Sequence, residues 1–274
     1  MIQYVVNQSD KTQLSNKVRK MSRIYGIAFW LALALAFCIA VLPFKMHWIS
    51  SANTEPREAV VRIETADGMG TGFLISPNYI LTARHVVEEL EIGDKVDVSF
   101  AQAKIPVETQ AEVVYYKEFN YNKFNAKVQP ALADYLEYFG TDVAILRLEE
   151  EIKQISPLPL GNSDEFKAGN VLIMGYGLND WSEPDGKITS DAFHENKSLF
   201  KLDGSVNHGH SGGPVMIMDG DKPTKVIGIV VGDFSTIFTE FTGSLVKGES
   251  VVLKINQADK VLSAGGYNVR SFEQ

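Results

Sequence analysis

Three short segments of this 274-residue chain carry side chains that could act together in nucleophilic catalysis. They contain His85, Asp142 and Ser211, in that order along the chain. A serine hydroxyl is a weak nucleophile at neutral pH, so it needs a nearby base, and imidazole titrates in the suitable range. The imidazole needs a buried carboxylate that fixes its tautomer and stabilises its charged form. The three side chains therefore predict a Ser-His-Asp triad, with Asp134 open as an alternative acid.

The residues around Ser211 are rich in glycine, reading NHGHSGGP over positions 207–214. Attack on an acyl group builds negative charge on an oxygen, which fixed N–H donors must stabilise. Glycine allows the backbone to turn its amides inward, so we expect the N–H groups of Gly209 and Ser211 to form an oxyanion hole. His208 and His210 form an H-x-H pair without a third ligand nearby in sequence. We therefore expect loop residues there, no metal site and no cofactor.

Short runs of β-branched and aromatic residues must position these groups. They are punctuated by Gly, Asn, Asp and Pro, which is typical of an all-β sandwich or barrel. A short helical stretch is predicted around His85, and a final helix is predicted with Asn256 as its cap and Gly265 and Gly266 at its end. The predicted strands cover residues 59–65, 70–76, 94–100, 109–116, 142–148, 170–175, 198–203, 213–218, 225–231 and 250–255.

The N-terminal part of the chain has a different character. Residues 24–44 form an uncharged run of 21 residues, long enough to cross a bilayer as a helix and longer than the apolar core of most signal peptides. Basic residues precede this run, so residues 1–23 are predicted to stay in the cytoplasm and the rest to be exported. We interpret residues 24–44 as a transmembrane signal anchor and residues 45–57 as a linker. Cleavage after Ala52, giving a secreted protein, or a buried soluble helix remains open.

Composition excludes some classes of function. Hydrophobic residues make up 45% of the chain, so it is neither a disordered chain nor a set of membrane spans. The net charge is −8 and the isoelectric point is about 5.2, which argues against nucleic acid as a partner. A single cysteine excludes a disulfide within the chain.

The segments in combination resemble the trypsin-like superfamily of serine proteases, and within it the HtrA/Deg type of bacterial envelope proteases. The similarity covers residues 58–265, and it is closest at LDGSVNHGHSGGP, residues 202–214. The segments GTGFLIS (70–76) and YILTARH (79–85) match the approach to the catalytic histidine, and residues 158–164 and 169–178 match the entry into a second barrel. The resemblance implies two antiparallel six-stranded β-barrels of the chymotrypsin type, at about 58–150 and 165–274, with a C-terminal helix.

The resemblance also implies a serine endopeptidase acting on extracytoplasmic polypeptides, and a trimer by analogy. It places the primary specificity pocket at Ser205, Val206, Asn207, Ile229, Val230 and Val231. These residues carry no charge, so cleavage after small aliphatic residues is expected; a glutamyl endopeptidase using His208 or His194 is the relative to exclude. The other interpretations are a narrow-specificity processing protease and an inactive protease-fold binding module.

Three departures from the family pattern stand out. His210 replaces the Asp or Asn that usually precedes the nucleophile, which argues against activation by a new N-terminus. The second barrel is expected to take up the residues after Ser211, so no PDZ domain is expected beside it. Residues 117–140 form a longer connection before Asp142 than the family usually has. It is either a tolerated surface insertion or an element that selects substrates or docks a partner.

Overall fold

Twelve strands form two closed antiparallel barrels in the described part of the chain, which confirms the predicted chymotrypsin-like architecture. The computed structural model describes residues 55–66, 68–124, 132–233 and 249–272. Within those ranges no helix is long and apolar enough to cross a bilayer. The predicted membrane helix at residues 24–44 lies outside the described residues and stays a prediction.

The first barrel closes by pairing its first strand with its fourth, in the order β1-β2-β3-β6-β5-β4. Its strands show why the sequence folds this way. In β4 the side chains of Val96, Val98 and Phe100 are buried and those of Lys95 and Asp97 are exposed, the alternation expected of a strand with one face in a core. The strands are β1 (Val60–Thr65), β2 (Gly68–Ser76), β3 (Tyr79–Thr82), β4 (Lys95–Phe100), β5 (Val107–Tyr116) and β6 (Ala144–Leu148).

The second barrel has the same design, in the order β10-β11-β12-β9-β8-β7, and closes between β10 and β7. The main hydrophobic core includes residues of both barrels, so the two pack directly against each other. The strands are β7 (Gly169–Ile173), β8 (Asp185–Ser190), β9 (Leu199–Gly204), β10 (Pro214–Asp219), β11 (Lys222–Asp233) and β12 (Glu249–Lys254).

Two α-helices and several 3₁₀ helices connect these strands. Helix α1 (Leu132–Gly140) lies in the predicted insertion, and helix α2 (Ile255–Ser263) follows β12. The N-cap of α2 is Lys254, so the predicted cap was wrong. The Asn256 side chain instead contacts Asn162, Asp164 and Arg270. The 3₁₀ helices are Pro56–Ala59, Arg84–Val86, Tyr121–Phe124, Gly177–Asn179 and Val269–Phe272.

The predicted catalytic residues stand on both barrels. His85 lies in the 3₁₀ helix after β3, as the predicted helical stretch indicated, and Asp142 lies between α1 and β6. Both belong to the first barrel. Ser211 lies in the connection from β9 to β10 of the second barrel. Any chemistry that needs all three therefore depends on how the barrels are held together.

Candidate active site

His85 and Asp142 form a tight pair. The carboxylate of Asp142 is fully buried, and its Oδ2 lies 2.7 Å from Nδ1 of His85. Its Oδ1 accepts a hydrogen bond of 3.0 Å from the backbone N–H of His85. Because both oxygens bind one residue, the ring is oriented with its Nδ1 proton on the carboxylate and Nε2 left as a base. Asp134, the alternative acid, lies in α1, and the acid on His85 is Asp142.

The electrostatics of this pair suit proton transfer. Burial disfavours the charged ring, but the charge of Asp142 and the hydrogen bond to it outweigh burial and raise the pKa of His85 above its ordinary value. A raised pKa makes the imidazole a stronger base toward a hydroxyl. The His85 side chain is 25% exposed, so the ring remains accessible from the cleft.

A buried arginine links this pair to the insertion. Arg84 is only 1% exposed, and its guanidinium carbon lies 5.3 Å from the Phe119 ring centre and 4.6 Å from that of Tyr138. Its Nε lies 3.2 Å from Glu88, and Nη1 donates to the carbonyl oxygen of Thr141 at 3.4 Å. Arg84, the neighbour of His85, is thus held between aromatic rings of the insertion that precedes Asp142. We call this arrangement the Arg84 clamp.

The nucleophile loop, residues 205–213, is fixed by a threonine from the other barrel. The hydroxyl of Thr71 donates a 2.6 Å hydrogen bond to the carbonyl oxygen of Gly209 and accepts a 3.1 Å bond from the Tyr176 N–H. The backbone N–H of Thr71 donates to the Ser211 carbonyl oxygen at 2.8 Å. Thr71 is fully buried, so these bonds do not exchange with water. Strand β2 of the first barrel therefore fixes the position of the nucleophile loop of the second barrel.

Only glycine fits at position 209 of this loop. Its φ is +97°, in the left-handed region that side chains avoid, and a Cβ there would overlap the Tyr176 carbonyl oxygen. The conformation turns the loop carbonyls toward protein donors: the His208 oxygen accepts from the Leu178 N–H and the His210 oxygen from the Gly213 N–H, both at 2.8 Å.

Two amides of the loop remain available as a result. Within the described residues, the N–H groups of Gly209 and Ser211 have no acceptor. Two unengaged donors beside a serine are the arrangement that an oxyanion hole requires. The Ser211 hydroxyl makes no hydrogen bond to a described residue, so the contact with His85 through which a proton would pass is not formed in this conformation. Catalytic hydrogen bonds of this kind often tighten only with substrate bound.

His85, Gly209 and Ser211 line one cleft between the barrels, with a volume of about 730 Å³. Met69, Leu178 and His208 are among its other lining residues. Leu178 has a φ of 54° and is 67% exposed, so it presents an apolar side chain to whatever enters.

The six predicted pocket residues do not line this cleft. Ile229, Val230 and Val231 are at most 2% exposed and contribute to the barrel cores. Ser205 and Asn207 are exposed and Val206 is half-buried. Strand β11 nevertheless runs beside Ser211, because Val230 exchanges backbone hydrogen bonds with Gly212 and Gly213 at 2.8 and 3.0 Å. The specificity pocket stays a prediction.

The H-x-H pair divides into two roles. His208 is exposed at the cleft, whereas His210 is 1% exposed and both of its ring nitrogens have partners. Reasoning from sequence missed His210, Thr71 and Arg84 as parts of the site. The only local sign of such a role is a polar residue within an apolar or glycine-rich run. Thr71 lies between two glycines, and Arg84 directly precedes His85.

The chain is similar to known proteins both in sequence and in fold. A profile described as a trypsin-like peptidase domain matches residues 70–229, more than half of the chain. The fold is similar to the crystal structure of the Rv3671c protease in its inactive form, at 20% identity and a TM-score of 0.53, over 77% of this chain and 91% of that one. A serine-to-alanine variant of Rv3671c from M. tuberculosis H37Rv, also inactive, gives 20% identity and a TM-score of 0.54, over 77% and 88%.

Proposed function

Since this chain belongs to the trypsin-like peptidase family and is a serine protease, we propose that it hydrolyses extracytoplasmic polypeptides through His85, Asp142 and Ser211. The observation that carries the proposal is the pairing of His85 with buried Asp142 at 2.7 Å, in the cleft that also holds Ser211. Neither a structural surface pair nor a scaffold requires a raised histidine pKa beside two unengaged amides.

The proposed reaction proceeds in two halves. Nε2 of His85 takes the proton of the Ser211 hydroxyl as its oxygen attacks the substrate carbonyl carbon, and Asp142 stabilises the imidazolium. The N–H groups of Gly209 and Ser211 bind the oxyanion of the tetrahedral intermediate. The imidazolium then gives its proton to the leaving amine, leaving an acyl group on Ser211. Water, deprotonated by His85, attacks this ester and releases the acid product.

Labelling with a fluorophosphonate tests the nucleophile. The full-length protein in detergent should be labelled, and Ser211→Ala should not be. Ser263→Ala, which removes an exposed serine of α2, is the matched control and should be labelled like the parent. A folded parent protein that resists labelling would indicate the inactive binding module instead.

We further propose cleavage after small aliphatic residues. Ser205, Val206 and Asn207 bring no charge to the base of the predicted pocket, so a Lys, Arg, Asp or Glu side chain would be buried there without a partner. An apolar side chain gains about 1.5–3 kcal/mol from full burial. Mass-spectrometric mapping of cuts in an unfolded protein tests this preference. Cuts mainly after Glu that disappear in His208→Ala would instead identify His208, which lines the cleft, as the specificity residue.

The location of the protease domain is a separate part of the proposal. The uncharged run at 24–44, preceded by basic residues, supports a single-pass anchor with the catalytic barrels outside the cytoplasm. A reporter that functions only outside the cytoplasm, fused after Gln274, should be active. A reporter that functions only in the cytoplasm should be inactive at the same position, and the reverse result would refute the orientation. A mature N-terminus at Asn53 would establish a cleaved signal.

A further inference from the structure

His210 occupies a slot directly behind the candidate oxyanion hole. Its Nδ1 lies 3.0 Å from the backbone nitrogen of Asn207. An N–H group needs an acceptor, so this nitrogen of the ring carries no proton. The proton must then be on Nε2, which lies 2.8 Å from the hydroxyl oxygen of Ser182. The contacts therefore specify one neutral tautomer, unlike that of His85, whose proton is on Nδ1.

The slot fits this ring closely. A Cβ on Gly177 would overlap three atoms of the imidazole, and a Cβ on Gly175 would lie 3.2 Å from its Cδ2. The ring thus packs against the backbone of two glycines, which leaves it no room to move deeper. The backbone of His210 is equally engaged, since its N–H donates to the Asn207 oxygen at 3.0 Å and its oxygen accepts from Gly213. Residues 207–210 form a turn closed on itself by both the backbone and the ring.

We propose that His210 is a positioning residue, which in its neutral state holds the Gly209 and Ser211 amides in place and on protonation releases them. The proposal rests on the proposed protease function. A protonated ring would carry N–H on Nδ1, facing the Asn207 N–H with no acceptor between them. Since the slot is closed on its far side, the ring can relieve this clash only by leaving it. The Ser211 amide belongs to the peptide unit that follows His210, and the Gly209 amide lies within the turn of residues 207–210 that the ring closes.

The surroundings of the ring offer no compensation for a charge. Burial lowers the pKa of His210. Among the described residues, the ring has no hydrogen bond or ion pair with any acid. Strand β2 contributes non-titratable Thr71 beside Gly175 and Gly213. The titratable groups on the two segments packed against the ring are Tyr176, Asp180 and Glu183 on one and His208 on the other.

The two nitrogens can be tested separately by substitution. Asparagine places an oxygen where Nδ1 stands and can accept from Asn207, but it does not titrate in this range. Glutamine places its amide near Nε2 and can satisfy Ser182, but it leaves the Asn207 N–H without an acceptor. We expect kcat near neutral pH to be at least about tenfold higher in His210→Asn than in His210→Gln. Equal values, or better activity in the glutamine variant, would overturn the assignment of Nδ1.

The pH profile of kcat/KM tests the protonation step. In the parent enzyme His85 protonates first, with its raised pKa, and His210 next, so the acid limb should steepen from slope one to slope two. Below the second break the parent should lose roughly a further tenfold per pH unit relative to His210→Asn, whose limb keeps slope one. His194→Asn, at an exposed histidine, is the control and should steepen like the parent. Circular dichroism at each pH separates this loss from acid unfolding.

A measurement on the unsubstituted ring makes the test independent of how the variants fold. Nitrogen NMR of the full-length protein with labelled histidines, assigned with His210→Asn or His210→Gln, should show His210 with a bare Nδ1 and a protonated Nε2 at neutral pH. The opposite tautomer or an imidazolium would refute the proposal even if the protein cleaved peptides. Absence of any proteolysis with the expected tautomer would instead count against the proposed function alone. Parallel acid limbs in parent and His210→Asn would refute the release by protonation.

Discussion

Replacing Thr71 with valine should damage both stability and catalysis, although the two side chains have nearly the same shape. The hydroxyl of Thr71 is the only part removed, and it holds the Gly209 carbonyl and the Tyr176 N–H from the opposite barrel. Gly209 and Tyr176 are both buried, so water cannot replace the lost bonds. The substitution therefore leaves one acceptor and one donor unsatisfied at the barrel interface.

The size of the effect follows from those two groups. An unsatisfied buried polar group costs about 1–3 kcal/mol, so the two groups together should lower the free energy of unfolding of Thr71→Val by about 2–6 kcal/mol. For a domain of this size that corresponds to a fall in Tm of about 5–20 °C. Because the Gly209 peptide loses its anchor, kcat should also fall by about 10- to 100-fold.

Thr71→Ser is the matched control, since it keeps the hydroxyl and removes a methyl group. It should cost about 1 kcal/mol and leave kcat within about threefold of the parent. Thermal unfolding by circular dichroism and turnover of a fluorogenic peptide, chosen from the mapped cleavage sites, measure the two effects. If the valine variant matches the serine variant in both Tm and kcat, Thr71 does not anchor the nucleophile loop.

Three further changes probe other parts of the site. Asp142→Asn should lower kcat by about 10⁴-fold by disturbing the His85 tautomer. Because Asp142 raises the His85 pKa, the substitution should also move the acid limb of kcat/KM to lower pH. An acid limb at the same pH would contradict Asp142 as the cause of the raised pKa. Arg84→Leu should lower the free energy of unfolding by about 2–4 kcal/mol. Arg84→Lys should not retain the parent's stability, because lysine lacks the planar guanidinium group. Parent-like thermal unfolding of the lysine variant would refute the Arg84 clamp. Gly209→Ala should reduce kcat more than about 100-fold. Gly220→Ala, in an open turn with φ +60°, should lower the free energy of unfolding by about 1 kcal/mol and leave activity unchanged. Equal kcat values in the two variants would refute the steric argument for Gly209.

The pH dependence of stability has opposite signs for His85 and His210. The pKa of His85 is raised. Its contribution to the free energy of unfolding is therefore complete below the ordinary histidine pKa and is lost as pH rises through the raised value. The pKa of His210 is lowered, so the unfolded chain binds protons more readily and stability falls as pH drops below the ordinary value. Chemical denaturation of His210→Asn across this range should remove the second effect, while a persisting acid loss would assign it to other groups.

Sequence patterns predicted the barrels better than their individual strands. Ten strands were predicted, and β3 and β8 were missed for different reasons. Strand β3 is only four residues long, and β8 reads DGKITS with Ile188 as its one fully buried residue. Such short or polar stretches become strands because neighbours pair with them on both sides, as β7 and β9 do with β8. Local propensity does not contain that information.

The same limit separates the parts of the site that were predicted from those that were not. The loop around Ser211 has a sequence pattern because backbone amides and glycines must follow one another. Thr71 and His210 act across 138 and 28 residues, on Gly209 and Ser182 respectively. A threonine between glycines gives no sign of which distant carbonyl it binds. Asn256 shows the converse, since a good capping residue one position inside the helix is recruited by tertiary contacts instead.

The glycine-lined slot also constrains how this sequence can diverge. With histidine at position 210, position 177 cannot gain even a methyl group without displacing the ring. A smaller residue at 210 would leave empty space against Gly177, and alanine there would then fill part of a void. Position 177 is therefore free to vary only in descendants that have already lost the histidine. We expect the two positions to change in that order through evolution, and a laboratory selection for stability in a His210→Asn background to recover substitutions of Gly177 that the parent does not tolerate.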